Sequence, residues 1–69
     1  MTGKEAIRII TRLGISQAAF GRLIGVSANS VTNWANGQAP SKPAATMLRL
    51  LDARPELVAV LEEIAQPKR

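Results

Sequence analysis

Residues Ile15–Gly37 read ISQAAFGRLIGVSANSVTNWANG, and this stretch decides the fold. Ser16 is of the residue type that caps a helix by accepting a free backbone N–H. Phe20, Leu23 and Ile24 follow at helical spacing, and Gly25 offers the left-handed conformation that stops a helix. Only Val26 intervenes before Ser27, which can cap a further helix with Val31 and Trp34 facing inward and the turn-forming pair Asn36-Gly37 at its end. Helices joined by so short a bend cannot lie antiparallel side by side, so they must cross steeply.

That geometry is a helix-turn-helix unit, and helical signals continue on both sides of it. Thr2 followed by Glu5 fits a capping box, which places a first helix from Gly3 to Leu13 with Ala6, Ile9 or Ile10, and Leu13 inward and Gly14 at its end. Gln38 to Lys42 reads as a loop closed by Pro40, and Pro43 falls in the first turn of a fourth helix striped by Ala44, Met47, Leu48 and Leu51. Arg54-Pro55 breaks that helix before a last one from about Pro55 to Ala65. Its apolar residues Leu57, Val58, Val60, Leu61 and Ile64 cover more of the circumference than one core needs, which points to a homodimer contact. Residues 1–65 are expected to form a single domain, and Gln66 to Arg69 a frayed tail.

Composition narrows the function. The 69 residues contain no cysteine and no histidine, so disulfides, thiolate metal sites and imidazole bases are excluded. No cofactor and no metal are expected. The net charge of +4 makes a polyanion the first partner to consider, and Lys4, Arg8, Arg12, Arg22, Lys42 and Arg49 all precede Asp52 with only Glu5 opposing them. Neither a signal peptide nor a membrane-spanning run is present, so a cytoplasmic protein without membrane contact is expected. The acids Asp52, Glu56, Glu62 and Glu63 stand at helix-surface spacings without a base or nucleophile beside them, so enzyme chemistry is not expected.

The Ile15–Gly37 segment resembles the helix-turn-helix of the Cro and phage-repressor (Xre-type) family of transcriptional regulators. Ser16-Gln17 opening the second helix, the Gly25-Val26-Ser27 turn, Val31 as a core residue and Trp34 to Gly37 closing the third helix carry the likeness together. Two positions depart from the pattern: the family usually has Ala where Gly21 stands and Glu where Ala35 stands. The resemblance implies an all-α, five-helix, lambda-repressor-like domain of bacterial or phage origin that binds double-stranded DNA, reads the major groove with its third helix and acts in most cases as a repressor. It also implies that the amino end of the second helix meets the phosphate backbone.

The residues support that reading on their own chemistry. With Val31 and Trp34 inward, Ala28, Asn29, Thr32 and Asn33 turn outward as candidate base contacts. Asn can bond bidentately to adenine, and Ala or the Thr methyl can meet a thymine methyl. The alternative is an ordinary solvated helix face. Candidate phosphate contacts are Gln17, Ser27, Ser30, Asn36 and Lys42, although Gln17 also reads as a helix former beside a cap. Arg8, Arg12 and Arg22 either add long-range attraction or are plain surface charges. Two other readings stand beside the regulator: the antitoxin of a toxin–antitoxin pair, with the last helix docking a toxin partner, and a protein-interaction module that has lost DNA binding.

Overall fold

The computed structural model describes residues 1–65, so the expected tail at 66–69 lies outside the described residues. Five helices follow in order: α1 (Gly3–Leu13), α2 (Gln17–Ile24), α3 (Ala28–Ala35), α4 (Lys42–Ala53) and α5 (Leu57–Ala65). This is the all-α, five-helix architecture expected, with α2 and α3 as the helix-turn-helix.

Local chemistry sets the helix ends. At α1 the Thr2 hydroxyl accepts the Glu5 N–H at 3.1 Å while the Glu5 carboxylate accepts the Thr2 N–H at 2.8 Å. Gly14 and Gly25 end α1 and α2 with φ of 76° and 79°, the left-handed backbone that glycine adopts without a Cβ penalty. Ser41 caps α4 by accepting the Ala44 N–H at 3.4 Å. Lys42 therefore begins this helix, where the sequence reading leaves it in the loop. The last helix starts at Leu57, two residues later than expected, because Pro55 and Glu56 form a turn whose carbonyls accept the N–H groups of Val58 and Ala59.

A core of apolar side chains holds the helices together, with α1 packed on α3 and α4, and α2 packed on α3 and α5. Phe20, Ile10, Leu48, Leu51 and Val31 are its largest fully buried members, and no polar or charged residue is buried among the described ones. Both Ile9 and Ile10 are buried. Leu13, Ile24 and Met47 are half-buried. Leu23, expected inward, is half-buried and lies outside the set that packs against the core. In α5, Leu57, Val58 and Leu61 are half-buried against the core, whereas Val60 and Ile64 stay 49% and 68% exposed. The five apolar residues of this helix thus form one broad stripe that the core covers only in part.

Two close approaches fix how α1 and α2 meet their neighbours. A Cβ on Gly3 would stand 2.3 Å from the Trp34 carbonyl oxygen and 2.6 Å from that of Gln38, so the start of α1 rests directly on the backbone at the end of α3 and just beyond it. A Cβ on Gly21 would stand 2.8 Å from the Val26 carbonyl oxygen, inside the α2–α3 turn.

Candidate nucleic-acid interface

The interface is built from α2, its turn and α3. Ser16 accepts the Ala19 N–H at 3.0 Å, leaving Gln17 exposed as the first residue of α2. The Gly21 carbonyl accepts both the Gly25 and the Val26 N–H at 2.9 Å, which closes the turn. Ser27 then starts α3 by accepting the Ser30 N–H at 3.1 Å, and the two serine hydroxyls lie 3.1 Å apart in a further hydrogen bond.

Core packing sets the rotation of α3. Val31 is fully buried and Trp34 nearly so, and the Trp34 ring meets Phe20 edge-on, with centroids 6.2 Å apart and an interplanar angle of 67°. Since a helix turns about 100° per residue, anchoring at 31 and 34 places Ala28, Asn29 and Thr32 away from the core, and all three are exposed. Trp34 is therefore a packing residue, unavailable for stacking on a base.

Asn33 differs from its expected position. It is half-buried and lines a recess of about 150 Å³ with Ser30, Trp34, Gln38 and Ser41. Its carbonyl accepts the Gln38 N–H at 2.9 Å, which folds the α3–α4 loop back over this flank of the helix. The recess thus unites two of the expected site residues, Ser30 and Asn33. Ser27, Asn36 and Lys42 lie outside it and are exposed, Asn36 at the end of α3 and Lys42 at the start of α4.

Gln38 and Ser41 are polar residues of this surface that the sequence reading missed. Ser41 carried a usable signal, since a serine two positions before a proline is a standard opening of a helix. The signal for Gln38 was Gly37: with φ of 106° it closes α3 by a Schellman cap, in which the Gly37 N–H bonds the Trp34 carbonyl and the Gln38 N–H the Asn33 carbonyl, both at 2.9 Å.

The surface is polar without being strongly charged. No residue of α3 is ionisable, and along the sequence the cations that flank it are Arg22 on α2 and Lys42 on α4. Away from the exposed face of α3, Glu5 in the first turn of α1 has a shifted ionisation. The backbone hydrogen bond from Thr2 holds the Glu5 carboxyl below its ordinary value of 4.5. No helix among the described residues is long and apolar enough to cross a membrane.

Comparison with known proteins agrees with this geometry. Residues 5–53 match the helix-turn-helix family. The chain is also similar to Antitoxin HigA-2 of Vibrio cholerae serotype O1, with 30% identity over 61 residues, covering 87% of this chain and 59% of that protein. The chain thus spans less than two thirds of the relative's length. No solved structure matches the chain. The matched segment runs from the first turn of α1 to the end of α4 and contains the whole α2–α3 unit. The chain belongs to the helix-turn-helix family of the Cro and phage-repressor (Xre) type, an all-α group of DNA-binding, non-enzymatic regulatory domains.

Proposed function

We propose that this protein is a sequence-specific regulator of transcription, acting as a repressor in the cytoplasm, that lays α3 in the major groove of double-stranded DNA. The observation that carries the reading is the two-sidedness of α3: Val31 and Trp34 are buried while Ala28, Asn29 and Thr32 are exposed, with no charge among them. Asn29 is the principal reader of adenine, Thr32 and Ala28 meet thymine methyls, and Asn33 reads from the edge of the recess. Gln17, Ser27, Ser30, Asn36 and Lys42 hold the backbone. Hydroxyls, amides, one cation and the free N–H groups at the starts of α2 and α3 suit phosphate oxygens. Selection from a random duplex library, followed by mobility assays at two salt concentrations, tests this. An enriched motif containing A·T pairs supports it, and recovery of no motif overturns it.

The regulator acts as a homodimer through α5, whose residues Val60 and Ile64 form an apolar strip beside the half-buried Leu57, Val58 and Leu61. Two copies would then meet half-sites about one helical turn, roughly 34 Å, apart. Sedimentation with and without the selected duplex tests the assembly, and monomer alone under both conditions refutes it.

The similarity to Antitoxin HigA-2 favours a second reading, in which the same DNA-binding domain is the antitoxin and autorepressor of a toxin–antitoxin pair. In that case the product of an adjacent gene arrests growth when expressed alone, and co-expression of this chain restores it. Failure of rescue by the chain rejects this second reading and leaves the first intact.

A further inference from the structure

A groove of about 220 Å³ lies between α1 and α4, lined by Arg8, Arg12 and Arg49 together with Met1, Glu5, Asp52 and the buried Ile9. Arg8 and Arg12 are four residues apart and so share one face of α1, while Arg49 and Asp52 share a face of α4. Arg49 lies seven residues beyond Lys42, about 10 Å along the α4 axis, and none of the residues lining the groove is among those assigned to DNA.

Its charges are incompletely matched. Arg12 pairs with Asp52 at 3.3 Å, and the Glu5 carboxylate is engaged by the Thr2 N–H at 2.8 Å. Among the described residues the ion pairs are Arg12–Asp52 and Arg54–Glu56; Arg8 and Arg49 are in neither, although the charge of Arg8 helps to hold the Glu5 carboxyl down. Three guanidiniums thus face two carboxylates, so the lining of the groove carries an excess of positive charge.

We propose that this groove binds a small molecule bearing a phosphoryl or pyrophosphoryl group, gripped by Arg8 and Arg49 from opposite walls. A guanidinium presents a planar fork that matches tetrahedral oxyanions bidentately. A carboxylate monoanion would satisfy one fork, whereas a doubly charged phosphoryl group offers oxygens to both.

The probe is inorganic pyrophosphate, titrated into the isotope-labelled chain at constant ionic strength and followed by amide chemical shifts. Saturable shifts are expected at residues 5–12 and 49–52, and Arg8→Ala and Arg49→Ala should each weaken binding about tenfold. Arg22→Ala should leave it unchanged. Asp52→Asn releases Arg12 and should tighten binding, a gain that damage to the fold would not produce. Unsaturable shifts, or shifts spread equally over Arg22 and Lys42, overturn the proposal. The phosphates of a nucleic acid offer the same chemistry, so duplex affinity is measured on the same variants. Unchanged affinity assigns the groove to the small molecule, and losses matching those of Lys42→Ala overturn the proposal in favour of backbone contact.

Discussion

The start of α1 touches the end of the recognition helix: a methyl group on Gly3 would lie 2.3 Å from the Trp34 carbonyl oxygen. Backbone meets backbone there, and neither side has a flexible end to move. Gly3→Ala should therefore push α1 away from the α3–α4 loop and destabilise the fold by about 1–3 kcal/mol, the usual range for overpacking. Urea titration followed by the fluorescence of the single tryptophan measures it. A neutral result would show that the loop yields freely.

Gly21 presents a contest between two effects. Replacing it with Ala adds about 1 kcal/mol of helix propensity, but the new Cβ would stand 2.8 Å from the Val26 carbonyl oxygen. A backbone atom cannot rotate aside, so the clash wins. The Gly21→Ala chain should be less stable by about 1 kcal/mol or more, read as a lower denaturant midpoint at unchanged slope. Stabilisation would mean that the turn relaxes to the arrangement usual in the family, where Ala fills this position.

Base readers and backbone holders should fail differently. Asn29→Ala is expected to cost about 1–3 kcal/mol on the selected site and to relax preference at one base pair. Lys42→Ala should weaken matched and unmatched duplexes alike and reduce the salt slope by about one. Competition binding on a panel of single-mismatch duplexes separates the two patterns. Equal losses from both substitutions would refute the division of roles.

Ile64 projects from α5 with 68% of its surface exposed, so Ile64→Lys should leave the fold intact. If α5 joins two copies, the same substitution raises the dimer dissociation constant at least about tenfold. Sedimentation equilibrium on both chains checks this, and an unchanged constant would remove α5 from the contact.

Acid should loosen α1 first. The folded-state ionisation of Glu5 is lowered by its bond to the Thr2 backbone, so the stability it lends is complete above its ordinary value of 4.5 and is lost as pH falls through the lowered folded value. Glu5→Gln keeps an acceptor and removes the titration. Its unfolding midpoint should fall less steeply in that acid window than that of the unaltered chain, and parallel curves would show that the capping box contributes nothing there.

Most of the fold was legible because helix ends are short-range chemistry. Thr2 with Glu5, Ser16, Ser27, Gly14 and Gly25 each act within a few residues, and the bounds of α1, α2 and α3 followed from them. Depth of burial was harder to read. Periodicity says which way Leu23 or Asn33 points, but the distance to the neighbouring element decides how far each is covered. The backbone bond from the Gln38 N–H to the Asn33 carbonyl is the helix-end cap that Gly37 announces, but how far the loop beyond it covers the Asn33 side chain is set by packing. For α5 the composition revealed surplus apolar surface, yet only packing could divide it into Leu57, Val58 and Leu61 inside and Val60 and Ile64 outside.

Among the described residues the interior holds hydrocarbon and two aromatic rings, and the side-chain hydrogen bonds that define helix starts sit at the rim. Exchanging one aliphatic residue for another of similar volume inside therefore strands no donor and no acceptor. The centre of this protein is free to drift over evolutionary time while its outline stays put, and the memory of the shape resides in a few hydroxyls and glycines at its corners.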